Sequence, residues 1–578
     1  MKQIRPGDKV DRRRFLKTAA GTTAGAALTA WSLRHPAPGG AAVRSDRARA
    51  AEASPKRGGV LKWAGPAEVA HFDVHQGAFR FVLGQMYNNL VRFNPADGLK
   101  TIIPDLAESW KASPDGKTYT FKLRDGVKFH DGSAFSSADV VATFSRIIFP
   151  PPGMASIYKD QFAAVAKVEA IDRLNVRFVL KEPQPYFLEL FTPSSMIVYS
   201  KKALDENNQD LRKVIAPGTG AFMFKERKVA EKWVMVRNPS YWDPEIPYLD
   251  GIELLHIPAW TDRGTAVLTG QADYSPNVSL ETHQEGLKRK DIVGTVRYPG
   301  EFNSYQVHIN NERKPFNDPR VRRAINLAVS RQNLIKAFGT QEPIMLTRWM
   351  THASEFASPL AELEKLPGYR ADKSADLAEA KKLMAAAGYA NGFETISTII
   401  QGNEYGTSYP TQVEIIEGMV GEIGIKHKKN VVDYTKVFQF QYRDVFGAFE
   451  GLSYKLGPQA SAPEPTGQLV YDYHSKASTG WYGFDASGKG DNAAGDPAVD
   501  ALLDKATAEF DPAKRKEIVY EIQKYLAKPQ YGIRWPGGAT GFLLAWPALQ
   551  NFNVWQNDPR RESVREWIDD TKAPIKKA

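Results

Sequence analysis

His71-Phe72-Asp73-Val74-His75 sets two imidazoles and a carboxylate within five residues, the donor types that a zinc ion takes. The chain has 10 His and no second donor cluster near this one, so the segment reads as a polar loop after the first strand. Asp485-Ala486-Ser487-Gly488-Lys489-Gly490-Asp491 has the outline of a calcium loop. Lys489 stands at a ligand position, however, and Asp496 where a bidentate Glu is wanted. Gly451-Leu452-Ser453-Tyr454-Lys455 comes nearest to a serine elbow, without its second Gly or its strand–turn–helix setting. There is no Gly-x4-Gly-Lys loop and no His-Glu-x-x-His, which argues against ATP hydrolysis and zinc proteolysis. With no Cys, the chain has no disulfide, thiol nucleophile, Cys-type zinc site, iron–sulfur cluster or N-terminal lipid-anchor Cys. The expectation is a protein that is not an enzyme, with no catalytic residue, no metal and no cofactor.

The net charge of +10 suggests a nucleic-acid partner until it is located. Residues 1–57 hold 13 Lys and Arg against four acids, and the rest of the chain is nearly balanced. The basicity belongs to a leader, so no nucleic-acid partner is expected. Within it, Asp11-Arg12-Arg13-Arg14-Phe15-Leu16-Lys17 resembles the twin-arginine export motif, read on Arg12, Arg13, Phe15, Leu16 and Lys17. Thr18 to Leu33 is a weakly apolar run of 16 residues, short of the roughly 20 that a bilayer span needs. It reads as a signal-peptide core, with cleavage at Ala48-Arg49-Ala50 or Ala51-Glu52-Ala53. Residues 1–53 are therefore assigned to a signal peptide and linker, and the mature protein is expected soluble in the periplasm, without a lipid anchor.

The elements that would position a site follow from periodicity. The 578 residues are 42% apolar and 25% charged, which excludes disorder, collagen and coiled coil as the main description. Tyr119, Phe121 and Leu123 alternate with polar residues, and Val127 and Phe129 alternate again after Asp125-Gly126, which predicts a hairpin with one buried face. Val176 to Leu180 and Trp233 to Arg237 alternate likewise. Asp318-Pro319, Asp496-Pro497 and Asp511-Pro512 start helices; Ser374 is expected to cap another that stops at Gly388. Strands and helices mixed in this way predict α/β lobes.

Several long segments, in order, carry a family resemblance. Pro104-Asp105-Leu106-Ala107-Glu108-Ser109-Trp110 leads into Asp115 to Gly132 and Ser137-Ala138-Asp139-Val140-Val141. Pro217-Gly218-Thr219-Gly220-Ala221-Phe222, Arg237-Asn238-Pro239-Ser240-Tyr241-Trp242, Pro315 to Ala324 and Ala378 to Tyr389 follow. Over about residues 58–550 the chain resembles the family 5 extracellular solute-binding proteins, the peptide/oligopeptide/nickel-type receptors of ABC importers. The resemblance implies a two-lobed periplasmic binding protein of class II (cluster C) with an extra domain inserted in the first lobe. It places the first lobe at 58–91, 211–310 and 536–578, the inserted domain at 92–210 and the second lobe at 311–535. It also implies capture of a peptide-like or other small solute between the lobes and delivery to the permease subunits, with separate ATPase subunits engaged indirectly and the chain acting as a monomer. The alternatives are an exported hydrolase using paired carboxylates, and a periplasmic sensor or chaperone component on the same fold. Candidate ligand contacts are the rings of Tyr305 (on a first-lobe strand), Trp349, Tyr454, Trp481 and Tyr482, since flat rigid rings give area at low entropic cost. Peptide receptors of this family follow a second-lobe strand with a Trp-x-Ala-Asp-Tyr-like segment whose Asp pairs with the ligand ammonium. Here no Asp occurs from Phe446 through Tyr471. Either Glu450 takes that role, or the ligand lacks the charge and Lys455 meets an anionic or carbonyl-rich group.

Overall fold

Alternating side chains and Asp-Pro helix starts account for several of the elements in the computed structural model. It describes residues 54–572 apart from 66–67, 70, 77–82, 95–100, 155, 157, 298–304, 312, 340–345, 347–349, 351–354, 402–407, 434–449, 457–463, 476–494, 537–540 and 552–563. The export motif, Trp349, Trp481, Tyr482 and the calcium-like loop lie outside the described residues.

The chain opens with β1 (Val60–Gly65) and then leaves for a separate layer. That layer begins with β2 (Val91–Phe93) and β3 (Ile102–Pro104), which pair with each other. A four-stranded sheet follows, made of β4 (Ala107–Ala112), β5 (Thr118–Leu123), β6 (Val165–Asp172) and β7 (Asn175–Leu180) in the order β4-β5-β7-β6. Helix α1 (Ser137–Ile148) covers it, started by a capping box between Ser136 and Asp139. Tyr119, Phe121, Leu123, Val176, Phe178 and Leu180 are all buried, as their alternation predicts. The core is largely Phe: Phe144, Phe178 and Phe187 each meet Phe191 edge-on with centroids 5.0 Å apart, the arrangement aromatic quadrupoles favour. The expected hairpin across Asp125-Gly126 does not form. Both neighbours of β5 are already taken, by β4 and β7. Val127 and Phe129 instead make a smaller turn, in which Phe135 N donates to Val127 O (3.0 Å) and Phe129 N to Ser133 O (2.8 Å).

After α2 (Lys201–Glu206) the chain returns through Gly218-Thr219-Gly220 to the first sheet. This sheet adds β8 (Phe222–Lys228), β9 (Lys232–Arg237), β10 (Gly251–His256), α3 (Trp260–Leu268), β11 (Tyr274–Val278), α4 (Leu280–Lys288) and β12 (Val293–Arg297). The return is tight because Gly220 N donates to Met86 O at 2.9 Å. A Cβ on Gly218 would sit 1.8 Å from the Met86 carbonyl oxygen. Gly218→Ala is therefore expected to cost about 3 kcal/mol by urea denaturation; a loss under about 1 kcal/mol would contradict this packing.

The second sheet begins at β13 (Tyr305–Ile309). Helices α5 (Pro319–Ala328), α6 (Arg331–Phe338) and α7 (Ser374–Ala386) follow, then β14 (Phe393–Ile400), α8 (Tyr409–Gly421), β15 (Ile425–Val432) and β16 (Leu452–Leu456). Next come α9 (Thr466–Tyr473), α10 (Pro497–Ala508), α11 (Pro512–Leu526) and β17 (Gly532–Arg534). The strand order is β15-β14-β16-β13-β17. Asp318, Asp496 and Asp511 cap α5, α10 and α11 with Pro in the first turn, as expected. Ser374 does not cap α7; it is the first helical residue, and Asp372 accepts from its N–H at 2.9 Å. The helix does stop at Gly388, which has φ +89. Edge strand β15 carries Lys426, Lys428 and Lys429, charges that keep an open edge from pairing with another chain.

β18 (Gly541–Ala545) then returns to the first sheet, whose order is β12-β18-β11-β1-β10-β9-β8. β19 (Leu549–Gln550) and β20 (Trp567–Ile568) form a last short pair. Placing residues 211–310 wholly in the first lobe is corrected by β13. Residues 305–309 hydrogen-bond to β16 and β17, so this strand belongs to the second sheet, and Tyr305 is not on a first-lobe strand.

Candidate functional site

The crossovers fix which end of each sheet matters. The chain passes from β12 to β13 and back from β17 to β18, and the six residues between Arg534 and Gly541 reach at most about 25 Å. β1 runs parallel to β10 and β11, and β12 lies antiparallel to β18, so the crossovers leave from the carboxyl ends of β1, β10, β11 and β12. In the second sheet, Tyr305 pairs with Leu456, and β16 runs parallel to β14. The crossovers therefore meet the carboxyl ends of β14, β15 and β16. Ligands of open α/β sheets bind at such ends.

At that end β13 presents two faces. Tyr305, Val307 and Ile309 point into the apolar core with Val321, Ile416 and Trp535. Gln306, His308 and Asn310 form the opposite face and are 0% exposed. Their register partners continue it: Arg534 beside Gln306, and Ser453 beside His308. Thr398 extends it from β14, beside Ser453. The Gln306 amide and His308 Nε2 are hydrogen-bonding partners on this face. Ser453 Oγ is buried with no partner. The result is a buried face of amide, imidazole, hydroxyl and guanidinium groups without a carboxylate among the residues named. It can hydrogen-bond a polar solute. It offers no nucleophile–base–acid relay, and among the described residues no group of three or more His, Asp or Glu could hold a metal.

The anticipated contacts are placed differently. Tyr305 lies at the crossover end, but its ring is fully buried, stacked on Trp535 with centroids 5.4 Å apart. Tyr454 is also fully buried; its carbonyl accepts from Tyr409 Oη at 2.6 Å, and burial pushes its phenol well above the ordinary value. Both rings pack in the apolar core in this conformation. Lys455 pairs in register with Gln306, one residue from the crossover end. Glu450 sits before the amino end of β16, at the opposite end of the sheet, where it is exposed and bonded to Arg313 at 3.1 Å. Asp433, directly beyond the carboxyl end of β15, is a carboxylate at the relevant end that the sequence reading passed over. The polar side of β13 was also passed over; its signal is the strict alternation of Tyr305-Gln-Val-His-Ile-Asn310.

His71 to His75 has become a structural joint. Asp73 and His75 are buried with Arg146 of α1. One Arg146 Nη donates to His75 Nδ1 (3.1 Å) and to Asp73 Oδ1 (3.3 Å), the other to Asp73 Oδ2 and the Gln209 carbonyl (2.6 Å). His75 Nε2 then donates to Ile197 O at 3.1 Å. Burial and the Arg146 charge lower His75 to about 3, so its imidazole stays neutral. Burial alone would raise Asp73, but the Arg146 bond, with His75 and the Arg146 charge, outweighs it and holds the carboxyl below the usual range.

Two α/β sheets joined by paired crossovers, a third layer inserted between strands of the first, and a buried polar face at the crossover end define a two-lobed binding protein. The chain belongs to the bacterial extracellular solute-binding proteins, family 5, whose model matches residues 101–480. It is 27% identical over 365 residues to the glutathione-binding protein GsiB of Escherichia coli K12, covering 63% of this chain and 67% of that protein; the aligned part thus spans about two thirds of that relative. The fold matches the Helicobacter pylori periplasmic binding protein DppA in complex with the peptide STSA (TM-score 0.74, 24% identity, 89% of this chain and 98% of that one). It also matches AgaA of A. tumefaciens R10 in complex with agropinic acid (TM-score 0.73, 21% identity, 88% of this chain and 99% of that one). The architecture is accordingly that of the two-lobed class II periplasmic binding proteins. Among the described residues no helix is long and apolar enough to cross a membrane.

Proposed function

We propose that this chain is the periplasmic receptor of an ABC importer that captures a solute other than an ordinary free peptide held by its α-amine. A modified peptide, opine, sugar or metal chelate fits this reading. The solute is enclosed at the crossover ends and handed to the permease subunits as a monomer, with the ATPase subunits engaged indirectly and no covalent chemistry. The observation that carries it is where two residues stand along the second sheet: Lys455 of β16 is registered at the crossover end, and Glu450, ahead of β16, stands at the far end. An ammonium anchored by Glu450 would be some five residues of strand, roughly 17 Å, from the crossovers. The buried polar face supports the same reading, since such groups orient a solute in an enclosed site.

Calorimetry against di- to pentapeptides, glutathione and an opine panel is the test. Peptides with a free N-terminus are expected to bind no tighter than their N-acetylated forms. Sub-micromolar binding that requires the free amine would overturn the proposal, and its loss in Glu450→Gln or Asp433→Asn would identify the anchor. For the solute that does bind, Gln306→Leu is expected to weaken affinity about tenfold or more, because it strips a partner from buried polar groups; unchanged affinity would remove the polar face from the site.

Export by the twin-arginine route is part of the same proposal. Replacing Arg12 and Arg13 together by Lys should strand the precursor in the cytoplasm, read by fractionation and immunoblot. Undiminished periplasmic protein would rule that route out.

A further inference from the structure

The inserted layer also touches the second lobe directly. The turn Phe187–Phe191 and the residues before it meet the segment leading into α9 and the start of α11. Tyr186 Cε2 lies 3.1 Å from where a Cβ on Gly467 would be, and Phe510 Cζ 2.7 Å from a Cβ on Gly116. Glycine at both positions keeps these approaches free of crowding, and Gly116 also has a positive φ of +66. Between these contacts two acids meet. Glu464 is 8% exposed; one of its oxygens accepts from Thr466 N (3.2 Å) and Thr466 Oγ1 (2.7 Å) and lies 3.5 Å from Arg515 Nε. Its other oxygen, and Glu189 Oε2 from the facing turn, are buried with no hydrogen-bond partner. The backbone amide of Glu464 faces the Glu189 carboxyl and slightly favours its ionised form. Arg515 is committed elsewhere as well, donating to Glu509 O at 2.7 Å.

We propose that Glu189 and Glu464 form a proton-dependent latch that holds the inserted domain against the second lobe. Two carboxylates share one guanidinium in a dry contact, and the arrangement is complete only when one of them carries a proton. The charged groups facing Glu189 are Glu464 ahead of α9 and Arg515 on α11; the Tyr186 phenol, on the same segment as Glu189, faces Glu464 and Arg515. Burial first, then the Glu464 charge, raises Glu189 to about 8, with Arg515 opposing; burial also raises Glu464. When the surfaces part, Glu189 meets water and returns to an ordinary carboxyl near 4.3. Its pKa is thus higher in the latched form. Latching takes up a proton between those values, is favoured below them and is lost as pH rises through about 8. The population ratio of latched to open forms is expected to fall on the order of tenfold per pH unit between 5 and 8. The latch is independent of which solute the protein carries.

The cysteine-free chain makes the test direct. Lys111→Cys and Lys514→Cys place one spin label on each side of the contact in the full-length, solute-free protein. Double electron–electron resonance then reads the distance distribution from pH 6 to 9. The short-distance population is expected to fall with rising pH, and in Glu189→Gln, which is uncharged at every pH, to stay at its pH 6 level throughout. A distribution that ignores pH, or a Glu189→Gln protein that follows the unsubstituted curve, would overturn the proposal. Glu464→Gln is the second variant: with Arg515 facing a single carboxylate, the titration should move to lower pH, and an unmoved midpoint would equally overturn it.

Discussion

Arg146→Met is expected to destabilise the protein by about 3–5 kcal/mol, the cost of leaving a buried charge without its partner. Asp73 is 0% exposed and takes both Nη groups of Arg146. The same guanidinium satisfies His75 and the Gln209 carbonyl. Methionine fills similar volume, so the loss reports charge and hydrogen bonding more than a cavity. The double variant Asp73→Asn/Arg146→Met should recover part of the loss, because no buried ion remains. Urea denaturation of the three proteins at pH 7 is the measurement. A single-variant loss below about 1 kcal/mol, the range of exposed ion pairs, would mean that the joint carries little of the stability.

Acid should weaken the fold well before the carboxylates titrate. His75 is held neutral, with its pKa lowered to about 3 by burial and the Arg146 charge. In the unfolded chain it returns to about 6.5. Between those values the unfolded state binds a proton that the native state refuses. Stability is therefore full above about 6.5 and falls as pH drops toward 3, by about 1.4 kcal/mol per unit. Lowering pH from 6.5 to 5 should cost about 2 kcal/mol through this group alone. The His75→Gln protein should lack that increment, whatever its stability at pH 7. Parallel pH profiles of the two proteins over that window would show that His75 is not the titrating group.

Much of the architecture is legible in the chain because burial selects residue type along each element. The alternation of Val176, Phe178 and Leu180 and the Asp-Pro pairs at 318, 496 and 511 map onto a strand and three helix starts. What the chain does not display is partner choice. β13 reads as a strand from its own residues, but its assignment to the second sheet depends on β16 and β17, more than 140 residues away. His71 to His75 reads as a donor cluster because those residues are adjacent; Arg146, which neutralises the cluster, is 73 residues on. The polar side of β13 was missed for a different reason. A polar stripe on an alternating strand ordinarily faces water, and only the fold shows that Gln306, His308 and Asn310 are enclosed. Tyr305 and Tyr454 show the converse: a ring suited to ligand contact is equally suited to a core, and here both are core.

The position of β18 constrains how this protein comes into being. It lies between β11 and β12 in the first sheet, so that sheet stays split until residues 541–545 emerge from the ribosome. At roughly 5–20 residues per second, the amino-terminal strands wait on the order of half a minute to two minutes for the strand that joins β12 to the rest of the sheet. The inserted layer and the second lobe, whose strands are contiguous in the chain, can form in that interval. The first lobe is thus obliged to be the last to close, after synthesis is essentially finished. A ribosome stalled short of residue 541 would hold two finished bodies and one unfinished one, with the edges of β11 and β12 still open to chaperones.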